Sequence, residues 1–298
     1  MADKKQDIII IGAGPAGISA ALYARRAGLA VTVVTKGPGA LAKAEGIENY
    51  YGFAEPITGA ELERRGIEGA KRLGVAFQQG EVMQLGFNDT FDGYKVEGAD
   101  FVLEAPSVIL AAGASRTTLN VPGLKEHEGK GVSYCAVCDA FFYRNKKVSV
   151  IGAGAYALHE AEVLAPHANE VHILMNGEQP QAAFPETMTV HTGKIAAIEG
   201  DGRVTGVRFE DGTTLPIDGV FLAIGTVGST ALARKAGILL DGANIKVNDA
   251  MATNVPGIFA AGDCTGGLLQ VAKAVYEGAK AGLSAVKYVR EKKSSKRV

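Results

Sequence analysis

Two cysteines separated by two residues carry the most reactive side chains of this sequence. They are Cys135 and Cys138, and Asp139 follows directly. Thiols at this spacing can close into a small disulfide ring, and such pairs are typical of redox-active sites. The carboxyl group of Asp139 stands where it can exchange a proton with a leaving thiolate. We therefore predict thiol–disulfide chemistry, with Cys135, Cys138 and Asp139 as the catalytic residues.

Zinc binding and inert burial are the two alternatives for this pair of thiols. A tetrahedral zinc site needs four ligands. The sequence offers one further cysteine, Cys264, and five histidines without paired ligand spacing. We therefore predict no metal site and interpret Cys264 as a small buried residue, with a third redox thiol as the alternative. Asp139 could also be an ordinary surface or capping carboxylate.

A glycine-rich turn between a strand and a helix begins the elements that must position this chemistry. The predicted order is a strand at 7–11, the run G-A-G-P-A-G at 12–17 and a helix at 18–27. Gly12 would make a tight turn, Gly14 would let the backbone approach a pyrophosphate, and Gly17 would allow close packing of the helix. Because a helix N-terminus adds free N–H groups, the run predicts a dinucleotide site, with a plain turn as the alternative.

The same order of elements returns in the middle of the chain. It consists of a strand at 147–151, the run G-A-G-A-Y-A at 152–157, a helix at 158–164 and a strand at 170–174. Near the end, a strand at 258–261 and a long helix at 270–290 resemble the first unit again. We therefore predict an α/β fold of two Rossmann-like domains of the FAD/NAD(P) type. The first domain would comprise 1–115 and 244–298, and the second, 116–243, would be inserted into it.

Two further turns after apolar strands favour a flavin over a nicotinamide at the first glycine run. One contains Gly262 and Asp263, whose carboxylate could accept a hydrogen bond from a ribityl hydroxyl. Ala112 and Gly113 form the other and allow a second close backbone approach. A helix N-cap is the alternative role for Asp263. Thr35 stands where an acidic residue commonly binds a ribose, so that contact is not predicted.

Composition argues against several other classes of protein. The chain has 298 residues, of which 47% are hydrophobic, and a formal net charge of −1. These values argue against disorder and against a broad basic surface for nucleic acid. No apolar run has the length of a membrane helix and no secretory signal is visible, so we expect a cytoplasmic protein. We expect Lys292, Lys293, Lys296 and Arg297 to form a frayed, solvated tail.

Five runs together resemble the low-molecular-weight thioredoxin reductases over nearly the whole chain. They are G-A-G-P-A-G at Gly12, E-N-Y-Y-G-F at Glu48, Y-C-A-V-C-D-A-F-F-Y at Tyr134, A-A-G-D at Ala260 and Q-V-A-K-A-V at Gln270. The resemblance implies FAD in the first domain, a redox disulfide on the inserted domain and a homodimer. Electrons would pass from FAD to the disulfide and then to thioredoxin or a thioredoxin-like protein.

The resemblance also implies a role for each matching residue. Cys138 would face the flavin, Cys135 would attack the disulfide of thioredoxin, and Asp139 would be the general acid. Asp263 and Gln270 would lie against the flavin. The cofactor-binding residues that the resemblance and the turns imply are Gly12, Gly14, Pro15, Ala16, Gly17, Thr35, Asn49, Ala112, Gly113, Gly262, Asp263, Gln270 and Val271.

The second glycine run departs from the family's pattern for NADPH. Members that use NADPH carry an arginine cluster after the strand that corresponds to 170–174, where it holds the 2′-phosphate. Here 175–180 read M-N-G-E-Q-P, no Lys or Arg occurs before Lys194, and Glu178 would repel a phosphate. Ala157 replaces a common third glycine, and the stretch that follows is short and has no helical pattern.

This departure leads us to predict reduced ferredoxin, or a reduced deazaflavin, as the electron donor. A conventional NADPH-dependent thioredoxin reductase is the first alternative. A flavin-dependent dithiol oxidase that uses oxygen is the second alternative. A non-enzymatic redox sensor or binding protein is the third.

Overall fold

The computed structural model describes residues 6–113, 119–134, 136–224 and 228–295, without the side chains of Val137 and Cys138. The chain divides into one unit of Met1–Ser115 with Gly228–Val298 and another of Arg116–Val227. The helices are α1 Pro15–Arg26, α2 Gly59–Arg72, α3 Ala136–Asp139, α4 Ala155–Leu164, α5 Ser229–Lys235 and α6 Val271–Ser295. The strands are β1 Ile8–Ile11, β2 Val31–Thr35, β3 Ala76–Gln79, β4 Val82–Phe87, β5 Tyr94–Gly98, β6 Val102–Ala105, β7 Ser107–Leu110, β8 Val132–Ser133, β9 Lys147–Ile151, β10 Glu170–Leu174, β11 Thr189–His191, β12 Ile195–Gly200, β13 Val204–Phe209, β14 Thr214–Pro216, β15 Gly219–Leu222, β16 Leu240–Asp241, β17 Asn244–Ile245 and β18 Ile258–Ala260.

A five-stranded parallel sheet forms the centre of the first unit. Its strand order is β18-β7-β1-β2-β3, and every neighbouring pair is parallel. The central strand β1 consists of four buried isoleucines, as expected for a parallel strand that is covered on both faces. Buried residues of α1, α6 and this sheet share one hydrophobic core. Two antiparallel sheets, β4-β5-β6 and β16-β17, complete the unit.

Helices α1 and α6 approach each other closely because α6 presents glycines to α1. A Cβ atom added at Gly278 would lie 2.1 Å from the carbonyl oxygen of Ala16. One added at Gly282 would lie 2.7 Å from that of Ala20. Distances this short leave no room for a side chain, so the two glycines set the spacing of the helices.

The second unit has the same architecture at smaller size. Its five-stranded parallel sheet has the order β11-β10-β9-β15-β8. The central strand β9 is buried except at Lys147 and leads through the second glycine run into α4. The antiparallel sheet β12-β13-β14 contributes Ile195, Val207 and Phe209 to the core of this unit. The predicted α/β fold with two Rossmann-like domains, the second inserted into the first, is confirmed.

The second boundary between the units lies before residue 228, earlier than the expected residue 244. The difference concerns α5 and β16, whose contacts are with the first unit. The Ser229 hydroxyl accepts a hydrogen bond from the backbone N–H of Ala112 (3.0 Å). The Lys235 ammonium donates to the carbonyl oxygen of Met83 (3.0 Å). These bonds join segments that are far apart in sequence, so no local pattern marks the boundary.

Helix α6 extends further than expected, which corrects part of the prediction for the basic tail. The helix continues to Ser295, so Lys292 and Lys293 are helical. Lys293 forms an ion pair with Asp7 at 2.7 Å. Lys296 and Arg297 lie outside the described residues.

Within the described ranges, no helix combines the length and the apolar character needed to cross a lipid bilayer.

Candidate functional site

Three predicted cofactor segments follow neighbouring strands of the first sheet. The first glycine run follows β1, Ala112 and Gly113 follow β7, and Gly262 and Asp263 follow β18. Because β1, β7 and β18 are parallel neighbours, all three turns lie at one edge of the sheet. The carboxyl ends of parallel strands are the usual place for ligands in such sheets. The structure therefore brings together residues that are about 250 positions apart in sequence.

The first glycine run has the backbone that its sequence predicts. Gly12 has φ +114°, and a Cβ atom there would lie 2.3 Å from the carbonyl oxygen of Ala111. A Cβ atom at Gly17 would lie 1.9 Å from the carbonyl oxygen of Gly12. By contrast, a Cβ atom at Gly14 would meet no atom within 4 Å. Open space therefore adjoins the N-terminus of α1, where Pro15 begins the helix and the first turn has no acidic residue.

The turn after β18 lies directly against this run. Gly262 has φ +87°, and an added Cβ atom would lie 2.9 Å from the Cβ atom of Ala16. Asp263 begins a short 3₁₀ turn, Asp263–Thr265, in which Gly262 is the N-cap. Asp263 is therefore not the N-cap that was its alternative role. Its half-buried carboxylate stands on a turn that contacts the start of α1.

Four of the other predicted cofactor residues are already engaged in contacts within the first unit. The side-chain amide of Asn49 donates to Gln270 (3.0 Å), which joins two exposed loops. The Thr35 hydroxyl contacts the backbone of Gly37. Ser229 accepts from the N–H of Ala112, and sequence reasoning missed this residue because the contact spans 117 positions.

Cys264 is buried beside the same turn. Burial raises the pKa of its thiol to about 12. The thiol contacts the carbonyl oxygen of Ala261 at 3.3 Å. A thiol in this state is protonated at neutral pH and a poor nucleophile, which favours the interpretation as a small buried residue.

The predicted catalytic segment lies in the second unit. Cys135 lies outside the described residues, as does the side chain of Cys138, whose backbone belongs to α3. The carboxylate of Asp139 accepts a hydrogen bond from the hydroxyl of Ser133 (2.7 Å). The buried carboxylate of Glu160 accepts one from the backbone N–H of Ala136 (2.7 Å). Neither Ser133 nor Glu160 was singled out in the sequence, since each acts through a tertiary contact.

Two exposed phenylalanines follow Asp139. The exposed fractions of Phe141 and Phe142 are 63% and 65%. The guanidinium of Arg144 lies over the ring of Phe141, 4.4 Å from its centroid.

Among the described residues no group of three or more His, Cys, Asp or Glu side chains could hold a metal ion.

The second glycine run is covered by the segment that follows β10. The backbone N–H of Gln181 donates to the carbonyl oxygen of Ala153 (2.7 Å). Asn176 has φ +51°, and its side-chain oxygen accepts from the N–H of Ile195 (2.8 Å). Gly152, Asn176 and Glu178 help to line a cavity of about 160 Å³ beside the run. No Lys or Arg occurs between Leu174 and Lys194, so the segment supplies no cation to this cavity.

Comparison with known proteins places these features in a family. A model of the pyridine nucleotide-disulphide oxidoreductase family matches residues 6–278. A thioredoxin reductase of Listeria monocytogenes serovar 1/2a is 36% identical over 311 aligned residues, which cover 98% of this chain and 97% of that protein. The chain therefore belongs to this family, and within it to the low-molecular-weight thioredoxin reductases, which are oxidoreductases that act on disulfides.

Two solved structures are similar over almost their whole length. The atypical thioredoxin reductase TRi from Desulfovibrio vulgaris Hildenborough has a TM-score of 0.91 at 39% identity, with 96% of this chain and 99% of that chain covered. A ferredoxin-flavin thioredoxin reductase from Clostridium acetobutylicum has a TM-score of 0.75 at 32% identity, with 96% and 99% covered. The resemblance to thioredoxin reductases that the motifs indicated is confirmed.

Proposed function

We propose that this chain is an FAD-dependent reductase of thioredoxin or a thioredoxin-like protein, with reduced ferredoxin as its electron donor in place of NADPH. The observation that carries the choice of donor is the segment over the second glycine run. Gln181 is bonded to Ala153 there, and Glu178 is the charged residue at the adjoining cavity.

The resemblance also implies a homodimer, which sedimentation velocity would test.

The first glycine run fits the pyrophosphate of a dinucleotide, and the family implies a flavin cofactor. Open space beside Gly14 adjoins the N-terminus of α1, where unpaired N–H groups and the positive end of the helix dipole suit phosphate oxygens. Asp263 would accept a hydrogen bond from a ribityl hydroxyl. Asn49 and Gln270 would lie against the flavin. When bound, FAD supplies the two-electron chemistry that links the donor to the disulfide.

Cys135 and Cys138 would deliver the electrons to the protein substrate. The Cys135 thiolate would attack the substrate's disulfide, form a mixed disulfide and release one substrate thiolate. The Cys138 thiolate would then attack the Cys135 sulfur, release the second substrate thiolate and close the Cys135–Cys138 disulfide. Two electrons pass to the substrate, and its two thiolates take up two protons. Asp139, which Ser133 holds by a hydrogen bond, would supply one of these protons.

The absence of a cation in 175–181 argues for a donor other than NADPH. A 2′-phosphate is usually bound by guanidinium groups through paired, charge-assisted hydrogen bonds. Here Glu178 would oppose that charge, and the backbone N–H of Gln181 donates to Ala153, so the 175–181 segment packs against the glycine run. A donor that reaches the flavin in the first unit needs none of these groups. The name of the similar Clostridium acetobutylicum enzyme indicates ferredoxin as such a donor.

An anaerobic titration of the FAD-loaded protein tests the donor. NADPH, NADH and chemically reduced ferredoxin are added separately while the flavin absorbance is recorded. We expect ferredoxin to bleach the flavin and both nicotinamides to leave it oxidised at micromolar concentration. Rapid bleaching by micromolar NADPH would overturn the proposal that ferredoxin is the donor and indicate a conventional thioredoxin reductase.

A separate assay in air tests the oxidase alternative. Peroxide formation that outpaces reduction of a protein disulfide would indicate the dithiol oxidase.

A pair of cysteine variants tests the route from flavin to substrate. Cys138→Ser should keep FAD bound and abolish reduction of thioredoxin. Cys264→Ser is the matched control, because the buried thiol donates to backbone oxygens of Leu110 and Ala261, which a serine hydroxyl can also do, and the variant should leave turnover unchanged. Thioredoxin reduction that survives in Cys138→Ser contradicts the proposed route.

A further inference from the structure

Two side chains of α6 hold the turn that carries Asp263. The Lys273 ammonium donates to the carbonyl oxygen of Gly262 and to the hydroxyl of Thr265, both at 2.9 Å, and also to the carbonyl oxygen of Gly266. The Glu277 carboxylate accepts from the N–H of Gly262 (2.9 Å) and from the hydroxyl of Thr265 (2.8 Å). Lys273 and Glu277 also contact each other at 3.1 Å. Apart from the contact between Lys273 and Glu277, all of these bonds are made to atoms of the Gly262–Gly266 turn.

The turn needs such bonds because glycines form both of its ends. Gly262 has φ +87° and Gly266 has φ +75°, and glycine has little intrinsic preference for one such conformation over others. Ordering these two residues costs more conformational entropy than ordering others would. The Lys273–Glu277 pair offsets this cost with bonds to both ends of the turn.

The placement of the pair is unfavourable for the helix alone. Lys273 is the third residue of α6, where a cation faces the positive end of the helix dipole. Lys before Glu at this spacing is also the weaker of the two possible orders. The exposed fractions of the two side chains are only 15% and 12%, so both charges are largely removed from water. The gain must therefore come from the turn that they hold.

We propose that Lys273 and Glu277 are positioning residues for the flavin cofactor, because they fix the turn that presents Asp263 to it. This inference rests on the proposed function, in which Asp263 binds a ribityl hydroxyl. The pair acts through the turn and has no direct contact with the reacting atoms. Its loss therefore weakens cofactor binding without removing the fold of the first unit.

FAD binding to the apoprotein, measured by quenching of flavin fluorescence, tests the proposal. K273M should raise the dissociation constant of FAD about tenfold or more, since several bonds to the turn are lost. The control is K287M, because Lys287 forms an exposed pair with Glu291 on the same helix at the same spacing. K287M should change the dissociation constant less than about twofold. Equal FAD affinity in K273M and K287M would overturn the proposal.

A double variant separates positioning from a merely structural role. K273M leaves the half-buried Glu277 without its cation, and this alone destabilises the unit. K273M/E277L removes both charges, so the melting temperature of the apoprotein should return to within about 4 °C of wild type. The FAD dissociation constant should nevertheless stay raised about tenfold. Wild-type FAD affinity in this double variant contradicts the proposal.

A double-mutant cycle with Asp263 tests the path of the effect. D263A should raise the FAD dissociation constant, and adding K273M should raise it little further, because both changes remove the same contact. Fully additive effects would mean that Lys273 acts independently of Asp263 and would overturn the inference. Wild-type apoprotein that binds no FAD at all would instead contradict the proposed function.

Discussion

The two glycine runs occupy the same place in two similar sheets, yet their surroundings differ. Each follows the central strand of a five-stranded parallel sheet and leads into a helix whose N-cap is the run's middle glycine. At Gly14 an added Cβ atom would meet nothing within 4 Å. At Gly154 the side-chain oxygen of Gln181 lies 3.7 Å from such an atom, and the Gln181 N–H is bonded to the run.

This difference shows that the residues of a glycine run predict the turn itself but not the contacts around it. Gly17 is required by its own turn, since its Cβ would lie 1.9 Å from a carbonyl oxygen. Ala157, at the corresponding place, is buried and accommodated. The second run is in contact with Gln181, which follows one strand later in the sequence. Residues outside the motif therefore change the surface that the motif presents.

The largest effect is expected from the last residue of each run, which is Gly17 in the first and Ala157 in the second. Gly17→Ala forces a methyl group into the carbonyl oxygen of Gly12, which should lower the free energy of unfolding of the first unit by about 3 kcal/mol and impair FAD binding. Ala157→Gly, the converse change in the second run, should cost about 1 kcal/mol and leave FAD affinity unchanged. Urea unfolding and flavin titration check both. A wild-type stability in Gly17→Ala would contradict the close contact.

The middle glycines provide a more selective comparison. Gly14 and Gly154 have extended backbones that alanine can adopt, and neither Cβ atom would clash. Gly14→Ala should therefore keep the melting temperature of the apoprotein but raise the FAD dissociation constant about tenfold, because the methyl group takes the space of the pyrophosphate. Gly154→Ala should change neither quantity. Unchanged FAD affinity in Gly14→Ala would show that the open space is not the cofactor's.

The sequence predicted the parts of this comparison that depend on local pattern. Buried strands such as β1 and β9 follow from short apolar runs, and the turns at Gly12 and Gly152 follow from glycine at positions of positive φ. The helix α1 begins at Pro15, three residues earlier than predicted, because proline suits the first position of a helix. Such features are set by residues that are close together in the chain.

The features that sequence did not predict depend on distant contacts. Ser229 binds the backbone at Ala112, and this contact moves the second boundary to residue 228. Lys273 lay within a quoted motif, but its bonds to the turn after β18 have no periodic signal. The one available signal was a cation in the first turn of a helix, where the dipole disfavours it. A residue that departs from the preference of its local secondary structure in this way often marks a functional position.

A smaller effect is expected when the charge beside the second run is reversed. Glu178→Lys places a cation at the cavity and should tighten binding of NADP⁺ by about threefold to tenfold, while the bond from Gln181 to Ala153 still covers the run. Glu186→Lys changes the net charge equally at an exposed position after this segment and serves as the control. Isothermal titration measures both. Micromolar binding of NADP⁺ by the wild type would contradict the difference between the two runs.

The smallest expected effect is a pH dependence confined to the second unit, since all five histidines lie within 116–227. Burial, aided by the charge of His172, lowers the pKa of His191 below its usual 6.5. As the pH falls below about 6.5, the unfolded chain takes up a proton at this position before the folded chain does, so the free energy of unfolding falls. The Lys147 ammonium lowers the pKa of Glu170, and that contribution is lost only below about pH 4.5.

His191→Phe tests this assignment because a second aromatic ring can keep the stacking on Phe209. Between pH 7.5 and pH 5.5 the urea midpoint of the wild-type second unit should fall slightly, and the variant should show a smaller fall. Flavin absorbance reports on the first unit in the same samples and should stay constant over this range. Release of FAD in parallel with the loss of the second unit would show that the two units do not respond to pH separately.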